Sequence, residues 1–215
     1  GQRPVQITQQ LLHGASSGGL DPQAFVYIIG ELAEGANGMT GNPRGLDPTV
    51  TKREINLIAV AEHKENMQHK ATVSHFGREF QIISDEPDVL GGDNEYPTPM
   101  EYFSASIAFC LLTQIERYSR MLKANITNAR CSVYVDFEAG GSVLLGTIES
   151  WCRGVSTEVE IESDESPELI AAILHNADSG CFIRSAVRSP TEMRTAVELN
   201  GAPLDLSEYP TRPPR

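Results

Sequence analysis

Four cysteines, Cys110, Cys131, Cys152 and Cys181, are the side chains of this 215-residue sequence with the most chemistry open to them. None forms a Cys-x-x-Cys pair, so the spacing of a tetrahedral zinc site is missing. Four in a chain this long are too few for a disulfide scaffold. What remains is thiol chemistry, in which one thiolate attacks and a second thiol resolves. Cys110 and Cys181 are the candidates. Cys181 follows "NADSG" at the opening of an expected short helix, where the helix dipole would lower its pKa. Cys110 lies mid-helix in "SASIAFCLLTQIERYSR" and lacks that help. The other reading of both is a small buried hydrophobe, which free cysteines often are. Cys131 and Cys152 stand in strand-like text and read as packing residues.

The element that must carry Cys110 is a long helix. Thr98 can cap it, Pro99 falls at its first position and Glu101 at its third, which is a capping box. Phe103, Ile107, Cys110, Leu111, Ile115, Tyr118 and Leu122 follow at helical spacing, so the helix is expected to run to about Ala124. "SDESPELIAAILHNA" reads as a second helix with Ser166 as cap and Pro167 at its start. In "DSGCFIRSAVRS" Asp178 or Ser179 could cap a third, short helix with Cys181 in its first turn.

Around these helices the text is extended. "REINLIAVAEH", "KATVSHF" and "REFQIIS" read as three strands ahead of the long loop "SDEPDVLGGDNEYP". "RCSVYVDFEA", "SVLLGTIESWC" and "VSTEVEIES" alternate as strands, and "EMRTAVELNG" reads as a closing one. The order β-β-β-α, then β-β(-β)-α-α-β, is that of an α+β domain. We place this domain at residues 51–201, behind an N-terminal arm over 1–50 and ahead of a Pro-rich tail over 202–215. The arm is rich in Gly, Pro and Asn, with one short helix expected in "DPQAFVYIIGELAE".

Composition excludes several classes. The net charge is −12 and no Lys/Arg run stands out, which argues against nucleic acid or an anionic membrane as partner. No apolar run approaches the roughly 20 residues that cross a bilayer, and "GQRPVQITQQ" lacks the build of a signal peptide. A reducing cytoplasm is the expected setting. His63, His69 and His75 are evenly spaced, but a strand or a turn between them keeps them from converging on a metal. There is no Gly-rich phosphate loop, and no metal or cofactor is expected.

"DEPDVLGGDNEYPTPMEYFSASIAFCLLTQI", followed by "ESDESPELIAAILHNADSGCFIRSAV", resembles the OsmC/Ohr superfamily, the osmotically induced protein C and organic hydroperoxide resistance proteins. The shared features are a Gly-Gly loop, a proline-opened helix, a cysteine eleven residues after that proline and a second cysteine about seventy residues on. The resemblance spans roughly residues 51–201. It implies an intertwined homodimer whose two sheets wrap long central helices. It also implies that Cys110 is the peroxidatic cysteine and Cys181 the resolving one. The substrate would be a hydroperoxide or another small thiol-reactive molecule, and a dithiol reductant would restore the pair.

Two positions depart from the peroxidase pattern. Those proteins keep a glutamate directly after the proline to hold an activating arginine; here that residue is Met100, and Glu101 comes one later. The turn "AEHKENM", where the arginine is expected, offers His63 and Lys64 instead, with Arg53 and Arg78 nearby in sequence. The pattern is closer to OsmC-like branches with an apolar residue after the proline. The alternatives are therefore a non-peroxidatic thiol protein, sensing redox state or handling sulfur or electrophiles, and a binder of a lipophilic ligand beside Phe103, Phe109 and Phe182.

Overall fold

The computed structural model describes residues 55–212. The arm and its expected helix lie outside them. The unit Asn56–Arg215 holds all four cysteines.

Three strands open it: β1 (Ile58–His63), β2 (His69–His75) and β3 (Arg78–Ser84). They pair antiparallel in the order β1-β2-β3. The register sets Ala59, Val73 and Phe80 side by side, and Ala61, Ala71 and Ile82 beside them. Because side chains alternate along a strand, these six share one apolar face. Phe80 and Ile82 on it are exposed. His63 and His69 face each other across the β1–β2 turn with ring centroids 5.5 Å apart, while His75 sits at the far end of β2. Among the described residues no cluster of His, Cys, Asp or Glu could hold a metal ion.

The loop after β3 is organised by one buried carboxylate. Asp85 accepts hydrogen bonds from the N–H groups of Glu86 at 2.8 Å, Asp93 at 3.3 Å and Glu95 at 3.0 Å, and from Gln68 Nε2 at 3.4 Å. These bonds outweigh burial, the largest single influence, and hold its pKa below the usual carboxylate range. Gly92 passes so close to the Glu86 backbone that a Cβ would have no room there.

The loop delivers the chain to α1 (Pro99–Leu122), 24 residues long. Its capping box forms as the letters require: Glu101 N–H donates to Thr98 Oγ1 at 3.2 Å, and Thr98 N–H to Glu101 Oε2 at 2.7 Å. The helix stops two residues before Ala124 because Lys123 turns to left-handed φ of 57° and its N–H closes on the Arg120 and Ser119 carbonyls.

Two strands of 15 residues each follow, β4 (Ile126–Gly140) and β5 (Glu149–Ser163), paired antiparallel. The expected separate strand "SVLLGTIESWC" does not form. Val143–Leu145 is a turn of 3-10 helix between Gly141 and Gly146, both at positive φ, and "ESWC" runs on into β5. Helices α2 (Pro167–Gly180) and α3 (Phe182–Arg188) come next. The expected closing strand shrinks to β6 (Glu198–Leu199), paired with β7 (Ala202–Pro203) around Asn200 and Gly201 at positive φ. The tail forms a 3-10 turn at Leu206–Glu208, and Thr211 Oγ1 donates to the Gly146 carbonyl at 3.2 Å.

The core lies where α1 meets α2 and the inner face of β4–β5. Leu111 and Ile115 of α1 pack on Ile173 and Ala177 of α2, with Cys131, Val159 and Ile161 of the strands partly buried around them. Each fully buried Leu or Ile contributes about 1.5–3 kcal/mol. On β5, Val155, Thr157, Val159 and Ile161 are half-buried while Glu158, Glu160 and Glu162 are exposed, so alternation turns every acid outward. The unit is α+β, as its sequence suggests.

Candidate functional site

Cys110 is half-buried on α1, next to the core residue Leu111 and one turn beyond the buried Ile107. Cys181 is the single residue between α2 and α3 and is 1% exposed. It arrives there because Ile173 and Ala177 press α2 onto α1, and because Gly180 has no side chain: a Cβ would collide with the Tyr118 hydroxyl.

The structure brings the two thiols together. Both are free, and they lie close enough for Cys110 to raise the Cys181 pKa. Burial, and next the neighbouring Cys110 thiol, push the Cys181 pKa above the ordinary thiol range. The N–H groups of Ile183 and Arg184 at the start of α3 pull it back, though neither closes a capping bond onto the sulfur. The expected dipole-lowered thiol is therefore corrected. Cys181 caps α3, but that helix has only seven residues, and desolvation outweighs its N–H groups. Cys181 keeps its proton beside Cys110.

Cys131 is half-buried against the core; burial raises its pKa and the charge of Arg184 opposes this. Cys152 is exposed on β5. Phe103 packs on Phe137 with centroids 5.9 Å apart, and Phe109 and Phe182 are exposed.

A network of charges beside the thiols has no counterpart among the expectations from sequence. Arg184 donates from Nη1 to Thr157 Oγ1 at 2.7 Å and pairs through Nη2 with Asp178 Oδ1 at 2.7 Å. Arg188 Nη2 reaches the same oxygen at 2.6 Å. The Arg188 hydrogen bond, and the charges of Arg184, Arg188 and His175, hold the Asp178 carboxyl below the usual range against its partial burial. Arg188 also lies close to Cys181. The signal for it is present in "CFIRSAVR": Cys181, Arg184 and Arg188 stand at i, i+3 and i+7, one helix face. Asp178, expected as a cap, instead lies within α2 and gathers both arginines. Of the two arginines near that turn in sequence, Arg53 lies outside the described residues and Arg78 stacks over Phe80 at the far end of the meander. Glu101 is committed to the capping box, and Met100 is exposed.

Residues 92–196 match the family model described as OsmC-like protein. No curated protein matches the chain. Similar solved structures include an OsmC-like hydroperoxide resistance protein from Jannaschia sp. CCS1, 19% identical with a TM-score of 0.47, over 69% of this chain and 95% of that one. An organic hydroperoxide resistance protein OsmC from Legionella pneumophila is 20% identical with a TM-score of 0.49, over 64% and 92%. An organic hydroperoxide resistance protein from Elizabethkingia anophelis is 18% identical with a TM-score of 0.47, over 64% and 91%. Both members of the thiol pair, Cys110 and Cys181, lie inside the residues that match the OsmC-like family model.

Proposed function

We propose that this protein is a thiol-dependent redox protein that reduces organic hydroperoxides through Cys110 and Cys181. The observation that carries the proposal is the proximity of two free thiols, one on α1 and one at the junction of α2 and α3; the match of the surrounding residues to the OsmC-like family model supports it. The more accessible sulfur, Cys110, attacks the hydroperoxide. The O–O bond breaks, the alcohol leaves with a proton, and Cys110 becomes a sulfenic acid. The Cys181 sulfur then attacks the Cys110 sulfur, a disulfide forms, and water leaves carrying the Cys181 proton. A dithiol reductant opens the disulfide by exchange and is itself oxidised. To test this, loss of cumene hydroperoxide is followed with dithiothreitol for wild type and Cys110→Ser. Fast turnover in wild type alone is expected; equal slow loss in both would overturn the proposal.

A second reading, a thiol protein that senses redox state or takes other electrophiles, is favoured by one observation. The only carboxylate in the first turn of α1, Glu101, bonds its own helix start and is not offered to an arginine. Disulfide formation or alkylation at Cys110 without peroxide turnover would select this reading.

Either chemistry is expected in a homodimer. The apolar face of the meander, with Phe80 and Ile82 exposed, is the surface a second copy would cover. Light scattering should give twice the chain mass; a monomer would remove this part. Among the described residues no helix is long and apolar enough to cross a membrane.

A further inference from the structure

A cavity of about 70 Å³ opens beside the thiol pair, lined by Ile107, Val155, Thr157, Arg184, Val187 and Arg188. Its walls lie one helical turn from each cysteine: Ile107 precedes Cys110 by three residues on α1, and Arg184 follows Cys181 by three. Residues so spaced are neighbours, with Cβ atoms about 5–6 Å apart. The electrostatics of this wall are unbalanced. Two guanidiniums converge on one oxygen of one carboxylate, Asp178, which leaves one positive charge over. Arg184 Nε is buried and has no hydrogen-bond partner, a donor left open in a chain whose net charge is −12. No acid of β5 offsets it, since Glu158 and its alternate neighbours face away from Thr157.

We propose that this cavity is a subsite for a small carboxylate, so that the thiol-reactive substrate is an anionic molecule bearing a carboxyl group close to its reactive centre. Arg184 and Arg188 take the carboxylate as charge-assisted donors, and Thr157 stays bonded to Arg184 and holds it in place. Ile107, Val155 and Val187 favour an organic acid over a fully hydrated oxyanion such as phosphate, because half the wall cannot hydrogen-bond. At about 10–15 Å³ for each water-sized site, the space of about 70 Å³ admits about five to seven such sites. That suits a carboxylate with one or two carbons and not a long chain. This inference rests on the thiol reading of Cys110 for its reaction but not for its binding.

The test uses the whole protein and two pairs of probes matched in size. Propionate and propionamide are titrated while the Arg184 Nε–H resonance is followed by NMR. Iodoacetate and iodoacetamide, which transfer a carboxymethyl or carbamoylmethyl group to sulfur with loss of iodide, are used to alkylate Cys110. A saturable shift is expected with propionate alone. A rate ratio of iodoacetate to iodoacetamide at least tenfold above that of the unfolded chain is expected at Cys110, falling to the unfolded value in Arg184→Gln. Arg188→Gln, at the more exposed arginine, is a milder variant, expected to weaken propionate binding with the fold intact. Equal response to both members of each pair, or an unchanged propionate affinity in folded Arg188→Gln, overturns the subsite. A Cys110 inert to both alkylating agents would instead count against the thiol reading, while the propionate titration still decides the subsite.

Discussion

Cys181 lies beside Cys110 at a position that is 1% exposed, and burial, more than its neighbour, is the main reason it keeps its thiol proton. The two residues are 71 positions apart and meet only because α2 lies on α1. The asymmetry fits the proposed roles, in which the half-buried sulfur attacks and the buried one waits as a thiol.

Cys181 should therefore be slow to alkylate at neutral pH and should gain reactivity only well into the alkaline range. The linkage sign follows from the raised pKa. Its contribution to stability is complete below the unfolded thiol pKa of about 8.5 and declines as pH rises from there through the folded value. Mass mapping after brief iodoacetamide treatment should find exposed Cys152 modified first and Cys181 last. Early labelling of Cys181 in folded protein would contradict its assignment.

Asp85 predicts the opposite limb. Its pKa is lowered, so its contribution is present above the unfolded carboxyl value of about 3.9 and is lost as pH falls from there through the folded value. Asp85→Asn has one acceptor oxygen where the carboxylate had two, and its amide would meet backbone donors. The variant should be less stable at pH 7, with a flatter acid limb in urea titrations. Amide exchange should quicken at Glu86, Asp93 and Glu95. Unchanged exchange at those amides would remove Asp85 as the organiser of the loop.

Glu101 should matter for stability and not for turnover. Glu101→Ala removes one arm of the capping box and should cost on the order of 1 kcal/mol, read by urea denaturation, while peroxide turnover per folded molecule stays within twofold of wild type. A tenfold loss of turnover would mean that Glu101 serves the thiols after all.

Ile173→Ala removes a side chain that is 0% exposed where α2 presses on α1. A loss of about 2–5 kcal/mol is expected. Because the same contact brings Cys181 to Cys110, disulfide formation should slow as well. Full stability with unaltered disulfide formation would break the link between packing and pairing.

The helices are legible in the sequence because their starts are written in local chemistry: Thr98-Pro99 with Glu101, and Ser166-Pro167, name their own caps. The meander is legible from alternation. The "SVLLGTIESWC" strand fails because periodicity cannot show the left-handed turns at Gly141 and Gly146 that bend Val143–Leu145 out of the sheet. Cys110 and Cys181 are visible as thiols, but their meeting depends on helix packing that has no local signature. The direction of the Cys181 pKa shift is hidden for the same reason. A helix start is a local feature, and the burial that overrides it comes from residues far away in sequence. Arg184 and Arg188 escape a reading that seeks the arginine in the turn after β1 and takes Asp178, their shared partner, for a cap.

The most direct test is to treat the reduced protein with one equivalent of cumene hydroperoxide, quench with acid and map disulfides by peptide mass spectrometry. The expected result is a Cys110–Cys181 disulfide as the main product, and in Cys181→Ser a sulfenic acid on Cys110 that dimedone traps. A protein whose Cys110 and Cys181 remain reduced while peroxide persists, or whose oxidation falls on Cys152, would contradict the proposal.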